Sequence, residues 1–376
     1  MNAIRRRREV GLGGRSRSRQ VLLLSGLVAL VAGACFDELW AAGPTTQMSR
    51  PPGAVVVRWR FDAGKGLQAS PAADEKRIYV ADVAGVVTAV LRASQAAEWT
   101  SAGSAEVSAG LLVVGGRVIV CDEDGLVRAL GTEDGKEAWR FAAKQKIVAR
   151  PAEAKGVIFA GSYDEHVYAL AAEDGKLLWQ QKTGAQVHAA PAVADDLVLV
   201  AGCDGQVRAF DIGSGEQRWA FDAGEPMGAS CRVQEGVVYV GTLKGERLAL
   251  DLKTGQLRWR NNDNQTRGEA IMAAATFHRD WVSFMTQGGV NASHTSSDGK
   301  WRASSRLSGR FSSDGVRWND IVWYASEDGK LHGPMSKGGA AAFTAGGGIK
   351  ASPVVVGEDL LVVDESGMLW ALAAAK

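Results

Sequence analysis

Residues 170–184 read LAAEDGKLLWQQKTG; nearly the same phrase stands forty residues earlier, as LGTEDGKEAWRFAAK (130–144), and forty later, as FDIGSGEQRWAFDAG (210–224). The repeat runs through most of the chain. Trp59, Trp99, Trp139, Trp179, Trp219 and Trp259 are spaced by forty without a slip, Trp301 follows at forty-two, and Phe343 stands where an eighth marker is due. A second marker keeps the same step: a turn glycine followed four residues later by a small residue, as in Gly85/Ala89, Gly125/Ala129, Gly205/Ala209, Gly245/Ala249, Gly288/Ala292, Gly329/Gly333 and Gly367/Ala371. The third copy carries Glu165/Ala169. A fixed period of this length is the signature of an array whose units cannot bury their own faces.

Each unit reads as strands. LVLVAG (197–202), VVYVGT (237–242), RVIVCD (117–122) and RIYVAD (77–82) are short, apolar and β-branched, and each is followed by a turn and a second strand such as QVRAFD (206–211). The strand with Trp comes next. Ahead of each unit lies a small-residue strand: QASPAA (68–73), VARPAE (148–153), HAAPAV (188–193) or KASPVV (350–355). Four short strands in about forty residues make one propeller blade. The spacing therefore predicts an all-β, eight-bladed β-propeller over 55–376. The Trp ring wedges between sheets and its N–H seeks a backbone acceptor. The last unit ends at LWALAAAK (369–376) without a Trp strand, while VVVRWRF (55–61) has no sheet of its own. The N-terminal strand is expected to complete the last blade and leave no raw sheet edge. Copies six and seven are blurred by NNDNQTRGEA (261–270) and by the Ser- and Gly-rich run 296–315.

The chain has 376 residues, with 46 Gly, 9 Pro and a formal charge of +1. That charge sits unevenly. The first 34 residues hold seven Arg and one Glu; the remainder has 36 basic and 41 acidic residues, a net of −5. No basic footprint for nucleic acid remains. The Arg-rich start leads into VLLLSGLVALV (21–31), too short to span a bilayer comfortably and suited to the core of a signal peptide. AGAC (32–35) reads in two ways: as an ordinary small-residue cleavage site, or as a lipobox-like stretch in which Cys35 becomes the lipidated first residue. We take the second, giving a signal peptide over 1–34 and a lipidated tether over 35–54. Cys121, Cys203 and Cys231 form no CxxC and have no His at metal-ligand spacing, so they read as free thiols.

ALDLKTGQLRW (249–259), with variants at 129–139, 169–179 and 209–219, resembles the Trp-docking repeat of the quinoprotein (PQQ-like) propeller family. Two branches matter. The pyrroloquinoline-quinone alcohol dehydrogenases imply a quinone, a Ca²⁺ with acidic and amide ligands, a catalytic Asp and often a vicinal Cys pair. This chain has no Cys–Cys and no insertion long enough to roof the ring. The BamB family of propeller lipoproteins, which serves outer-membrane β-barrel assembly, is similar in length, export signal, tether and eight bare blades. That resemblance implies a non-enzymatic scaffold at the outer membrane, facing the periplasm through a lipid anchor, with other proteins as partners and no cofactor. The alternatives are a quinone-dependent dehydrogenase and a general exported ligand- or protein-binding propeller.

The axis is where a ligand would sit. The forty-residue register offers one position per blade there: Gln68, Ser108, Val148, His188, Gly228 and, in the last, Lys350. This set has one imidazole, one ammonium and no carboxylate, so it suggests neither a metal nor a quinone site. His188 reads as a hydrogen-bonded or solvated side chain, and CDEDG (121–125) as a solvated hairpin turn.

Overall fold

The computed structural model describes residues 54–262, 266, 268–333 and 341–375. The expected signal peptide, Cys35 and the tether up to residue 53 lie outside the described residues. Eight four-stranded antiparallel sheets form an eight-bladed β-propeller, with no helix among the described residues. Blades 1 to 7 span 72–101, 112–142, 152–182, 192–222, 232–261, 276–306 and 316–344. Blade 8 takes Val354–Val356, Asp359–Val363 and Met368–Ala374 from the C-terminus and Val55–Asp62 from the N-terminus. The borrowed strand runs antiparallel to the last one, from Val55 opposite Ala374 to Asp62 opposite Met368, and covers its free edge.

Burial explains the strand chemistry. The second strand of each blade lies between two neighbouring blades, so both faces are covered; Val157–Gly161 and Val237–Gly241 are buried at every position. The outer strands alternate instead, with the Trp buried and its neighbours in solvent, as in Leu177–Lys182.

The tryptophan marks a contact with the next blade. The Nε1–H of Trp99, Trp139, Trp179, Trp219 and Trp259 donates to the carbonyl of Thr132, Ala172, Ile212, Leu252 and Ser296, each on the following blade. Each ring then lies on a glycine of that blade: Gly135, Gly175, Gly215, Gly255 and Gly299. A methyl at Gly215 would stand 2.6 Å from Trp179 Cδ2, and the glycine also holds φ +72°, so both sterics and backbone demand Gly. This is the reason for the Gly four residues before the Trp: it serves the tryptophan of the preceding blade.

Two expected markers are not docking residues. The step from blade 5 to blade 6, Arg232 to Thr276, is forty-four residues, whereas that from blade 4 to blade 5, Ala192 to Arg232, is forty. Ala303, opposite Ser293, therefore takes the place that Trp259 holds opposite Ala249. Trp301 pairs with His294, points outward and is 49% exposed. The same slip makes Gly289, with φ +89°, the turn glycine rather than Gly288. In blade 7, Phe343 pairs with Leu331 as Phe221 pairs with Val207, so it stands two residues past the docking position, which falls on Ala341.

The seams without a docked Trp are held differently. Trp318 donates to the carbonyl of Glu358 on blade 8 at 3.1 Å and packs with the buried Trp323, Leu360 and Leu372. At the closing seam Trp59 packs against Leu361 and Ile78, but Gln95, with φ +57°, occupies the glycine platform. Closer to the axis, a backbone N–H of one blade bonds a side-chain oxygen of the next: Ala274 to Asp314 (2.7 Å), Asp314 to Ser352 (3.0 Å) and Ser352 to Ser70 (2.9 Å). These three links cross the 6/7, 7/8 and 8/1 seams. A fourth, Ala190 to Ser230, adds to the Trp-docked 4/5 seam.

Candidate functional site: the central channel

The small-residue strands that precede each blade line a central cavity of about 840 Å³. Gln68, Ser108, Val148, His188, Gly228 and Lys350 all reach it, joined by Met272 and Ser312, which the slipped register of blades 6 and 7 hid. Two residues further along each strand comes a second layer with Ser70, Gly110, Arg150, Ser230, Asp314 and Ser352.

At the first layer, the turn after each second strand folds toward the axis. The amides of Val83, Glu123, Tyr163, Cys203, Leu243, Gln287, Glu327 and Glu365 donate to the carbonyls of Gly66, Glu106, Lys146, Gln186, Pro226, Ala270, Arg310 and Gly348. This eightfold set carries groups to the channel that the inner-strand register alone does not reveal. Glu123 accepts from Ser108 Oγ at 2.9 Å and lies 3.5 Å from Lys146 Nζ. Thus the CDEDG turn supplies a carboxylate to the Ser108 site instead of standing free in solvent. Lys146 stacks over the Tyr163 ring at 5.0 Å, and Tyr163 Oη bonds His188 Nδ1 at 2.6 Å. Lys350 pairs with Glu365 at 2.7 Å. Burial, then the charge of Lys146, lowers the His188 pKa and favours neutral imidazole. The hydrogen bond to Glu365 raises that of Lys350.

The second layer is mixed in charge. Arg232 of blade 5 reaches past blade 6 to Asp314 of blade 7 at 3.0 Å. Arg150 of blade 3 lays its aliphatic stem over Gly110, where a methyl would meet Arg150 Cβ, Cγ and Cδ at 3.2 Å. Its guanidinium reaches the lumen. Confinement, then the charge of Arg232, lowers its pKa, while Asp314 opposes the shift.

A quinone centre with calcium needs several carboxylate and amide oxygens aimed at one point. Here the carboxylates are divided among partners: Glu123 with Ser108 and Lys146, Glu365 with Lys350, and Asp314 with Arg232. Among the described residues no group of three or more His, Cys, Asp or Glu converges to hold a metal ion. Cys121 and Cys231 are buried and Cys203 is half-buried, all as free thiols far apart in sequence. The donor set does not fit that centre.

Fold and channel together define a quinoprotein-type propeller with bare hairpin blades and an ion-paired axis. The model of the family described as outer membrane protein assembly factor BamB matches residues 48–150 and 123–342, and the chain belongs to that family. Among solved structures, BamB from Moraxella catarrhalis is similar at 15% identity, TM-score 0.72, covering 85% of this chain and 98% of that one. A europium-containing methanol dehydrogenase is similar at 13% identity, TM-score 0.71, covering 85% and 93%. The quinohemoprotein alcohol dehydrogenase from Comamonas testosteroni is similar at 14% identity, TM-score 0.68, covering 86% and 77%. At these identities the structural likenesses establish the fold alone. No curated protein sequence matches the chain.

Proposed function

We propose that this chain is an exported, lipid-anchored scaffold that supports outer-membrane β-barrel assembly through protein contacts and catalyses no reaction. The observation that carries the reading is the BamB family match, which runs from residue 48 to 342, from the strand lent to blade 8 through blade 6 and into blade 7. Two features support it. The blades are joined by short turns, leaving the rim as the main surface on offer. On that rim, apolar side chains face water on outer strands: Leu177 and Leu178 of blade 3, Leu257 of blade 5 and Trp301 of blade 6, between 38% and 49% exposed. Such edges accept an added strand, with backbone hydrogen bonds giving affinity and side chains giving selectivity. The channel's paired charges speak against a quinone.

Affinity purification of the full chain from solubilised membranes tests the role: barrel-assembly subunits should co-purify, and their absence would leave only a general exported propeller. Saturable binding of pyrroloquinoline quinone and Ca²⁺ with dye-linked alcohol oxidation would overturn the non-enzymatic reading. For the anchor, palmitate should label the wild type and spare Cys35→Ala; equal labelling of both would refute it.

A further inference from the structure

The closing seam between blades 8 and 1 is built more loosely than the five docked ones. At those five the platform is a glycine, and a methyl there would stand 2.4–2.6 Å from the docked indole. At the closing seam the platform residue is Gln95, held at φ +57°. Its Cβ bars the close approach that glycine allows, and the left-handed backbone is costly for an L-residue. A cleft of about 650 Å³ lies here, between Trp59, Val356 and Leu361 of blade 8 and Ile78, Leu91 and Gln95 of blade 1. The strand that carries Trp59 is shallow. Val55–Asp62 has no buried position, whereas the outer strands of blades 2 to 5 bury their Trp. Arg58 ties it to Glu358 and Asp359, but the Arg58 side chain is 45% exposed, and such pairs contribute little. Near the axis the ring closes without this strand. The Leu67 amide bonds the Asp364 carbonyl at 3.0 Å and the Ser352 amide bonds Ser70 Oγ at 2.9 Å, both beyond the connection 63–66.

We propose that the N-terminal strand is a displaceable clasp. It detaches while the ring stays folded, and the bared edge of Met368–Ala374 takes an extended strand from a client barrel protein. The client belongs to the assembly role proposed above, and the inference rests on that reading. What the edge accepts follows from what covers it now. Trp59 and Phe61 pack inward on the cluster that holds Leu361, Leu369 and Ile78. Arg60 lies over the Trp370 ring at 5.7 Å, and Arg58 meets Asp359 at 2.9 Å. The edge therefore suits aromatic side chains at alternate positions with polar or basic ones between. Strands of membrane barrels alternate apolar and polar side chains and carry aromatic residues near both ends. Backbone bonds along 368–374 supply the affinity, and the cleft selects the aromatic side chains.

The test uses the purified full chain. In native-state hydrogen exchange, the paired amides of 55–62 should exchange about tenfold or more faster than those of 137–142 and 177–182, while the second strands stay protected. Gln95→Gly, which restores the platform and relieves the backbone, should slow that exchange. Binding is read with a fluorescently labelled peptide of sequence VVVRWRFD, that of residues 55–62. Val55 and Ala374 face each other beside the bond from the Ala375 amide to the Ala54 carbonyl, which makes them a close, non-hydrogen-bonded pair. Val55→Cys with Ala374→Cys can therefore lock the clasp by a disulfide. The wild type and the reduced double variant should bind the peptide saturably, and the oxidised form should not. A peptide of the same composition in scrambled order should bind poorly. A short peptide alternating aromatic residues with Ser and Lys should compete. Equal binding by the oxidised and reduced forms would overturn the proposal, as would exchange in 55–62 no faster than in the other outer strands. Wild-type dimers that the disulfide abolishes would give the edge to a second copy and overturn the choice of partner. Co-purification of barrel-assembly subunits is measured separately, so the scaffold reading can stand where this one falls.

Discussion

A glycine and a tryptophan on adjacent blades form one functional pair. Gly215 supports the ring of Trp179, and Gly255 that of Trp219; a methyl added at either glycine would meet the indole at 2.6 Å. Both hold φ near +70°, which an L-residue adopts only at a cost. Gly215→Ala should therefore destabilise the chain by roughly 2 kcal/mol or more, combining backbone strain with an overpacked indole. Chemical denaturation checks this. The same change at Gly224, also at positive φ (+74°) but with nothing within 4 Å, should cost only the backbone part, about 1 kcal/mol. The thiols make a second residue-scale prediction. Burial raises the pKa of all three described cysteines, that of Cys231 to about 12, and only Cys203 has partial access. A thiol reagent at pH 8 should modify Cys203 slowly and spare Cys121 and Cys231 until the protein unfolds. Rapid reaction of Cys121 or Cys231 in the native state would contradict their burial.

At the scale of the element, an aspartate organises the hairpin before Trp139, Trp179, Trp219 and Trp259: Asp134, Asp174, Asp211 and Asp251 accept its backbone amides. Asp251 Oδ1 accepts the amides of Lys253 and Thr254 and the Thr254 hydroxyl, each at 3.0 Å, while Oδ2 takes Arg258 at 2.7 Å. The Arg258 bond, joined by the turn amides and hydroxyl, lowers the Asp251 pKa from 3.8 to about 2. A depressed folded-state pKa adds stability that is complete above the unfolded value and is lost as pH falls through the folded one. The wild-type melting temperature should thus drop between about pH 4 and pH 2, and the part due to this turn should be missing from Asp251→Asn over the same window. Parallel acid profiles for the two proteins would contradict it. Much of this is legible in the sequence. The D-x-x-T-G phrase, the even strand lengths and the unpaired first strand each have a local cause that repeats. Trp301 and Phe343 mislead because spacing alone does not carry strand register. A bulge sits between the positions opposite Trp301 and Ala303, and four extra residues upstream shift the count. Glu123 escapes a sequence reading for a related reason: a turn reads as solvent-facing, whereas the ring of amide-to-carbonyl bonds turns it inward.

On the scale of the whole molecule, the ring is held by two different girdles that divide the seams between them. An outer girdle of Trp docked on Gly closes the seams from 1/2 to 5/6. An inner girdle of amides bonded to Ser70, Asp314 and Ser352 closes 6/7, 7/8 and 8/1, where no Trp among the described residues is docked on a glycine platform. The 4/5 seam carries both, through Trp219 and Ser230. Each inner bond is worth about 1 kcal/mol by itself, and its loss leaves a partly buried amide without its acceptor. The consequence should depend on what else holds the seam. Ser352→Ala removes the acceptor for Asp314 on a seam without a docked Trp, so native-state hydrogen exchange should quicken in blades 7 and 8, around 316–332 and 354–374. Ser230→Ala removes the same kind of bond beside an intact Trp219, and exchange in blades 4 and 5 should change little. Adding Trp219→Phe to Ser230→Ala, which deletes the indole donor while keeping an aromatic ring, should then open that seam as well. Equal effects of the two serine changes would mean that the girdles do not share the load seam by seam, and that the ring opens as one cooperative unit.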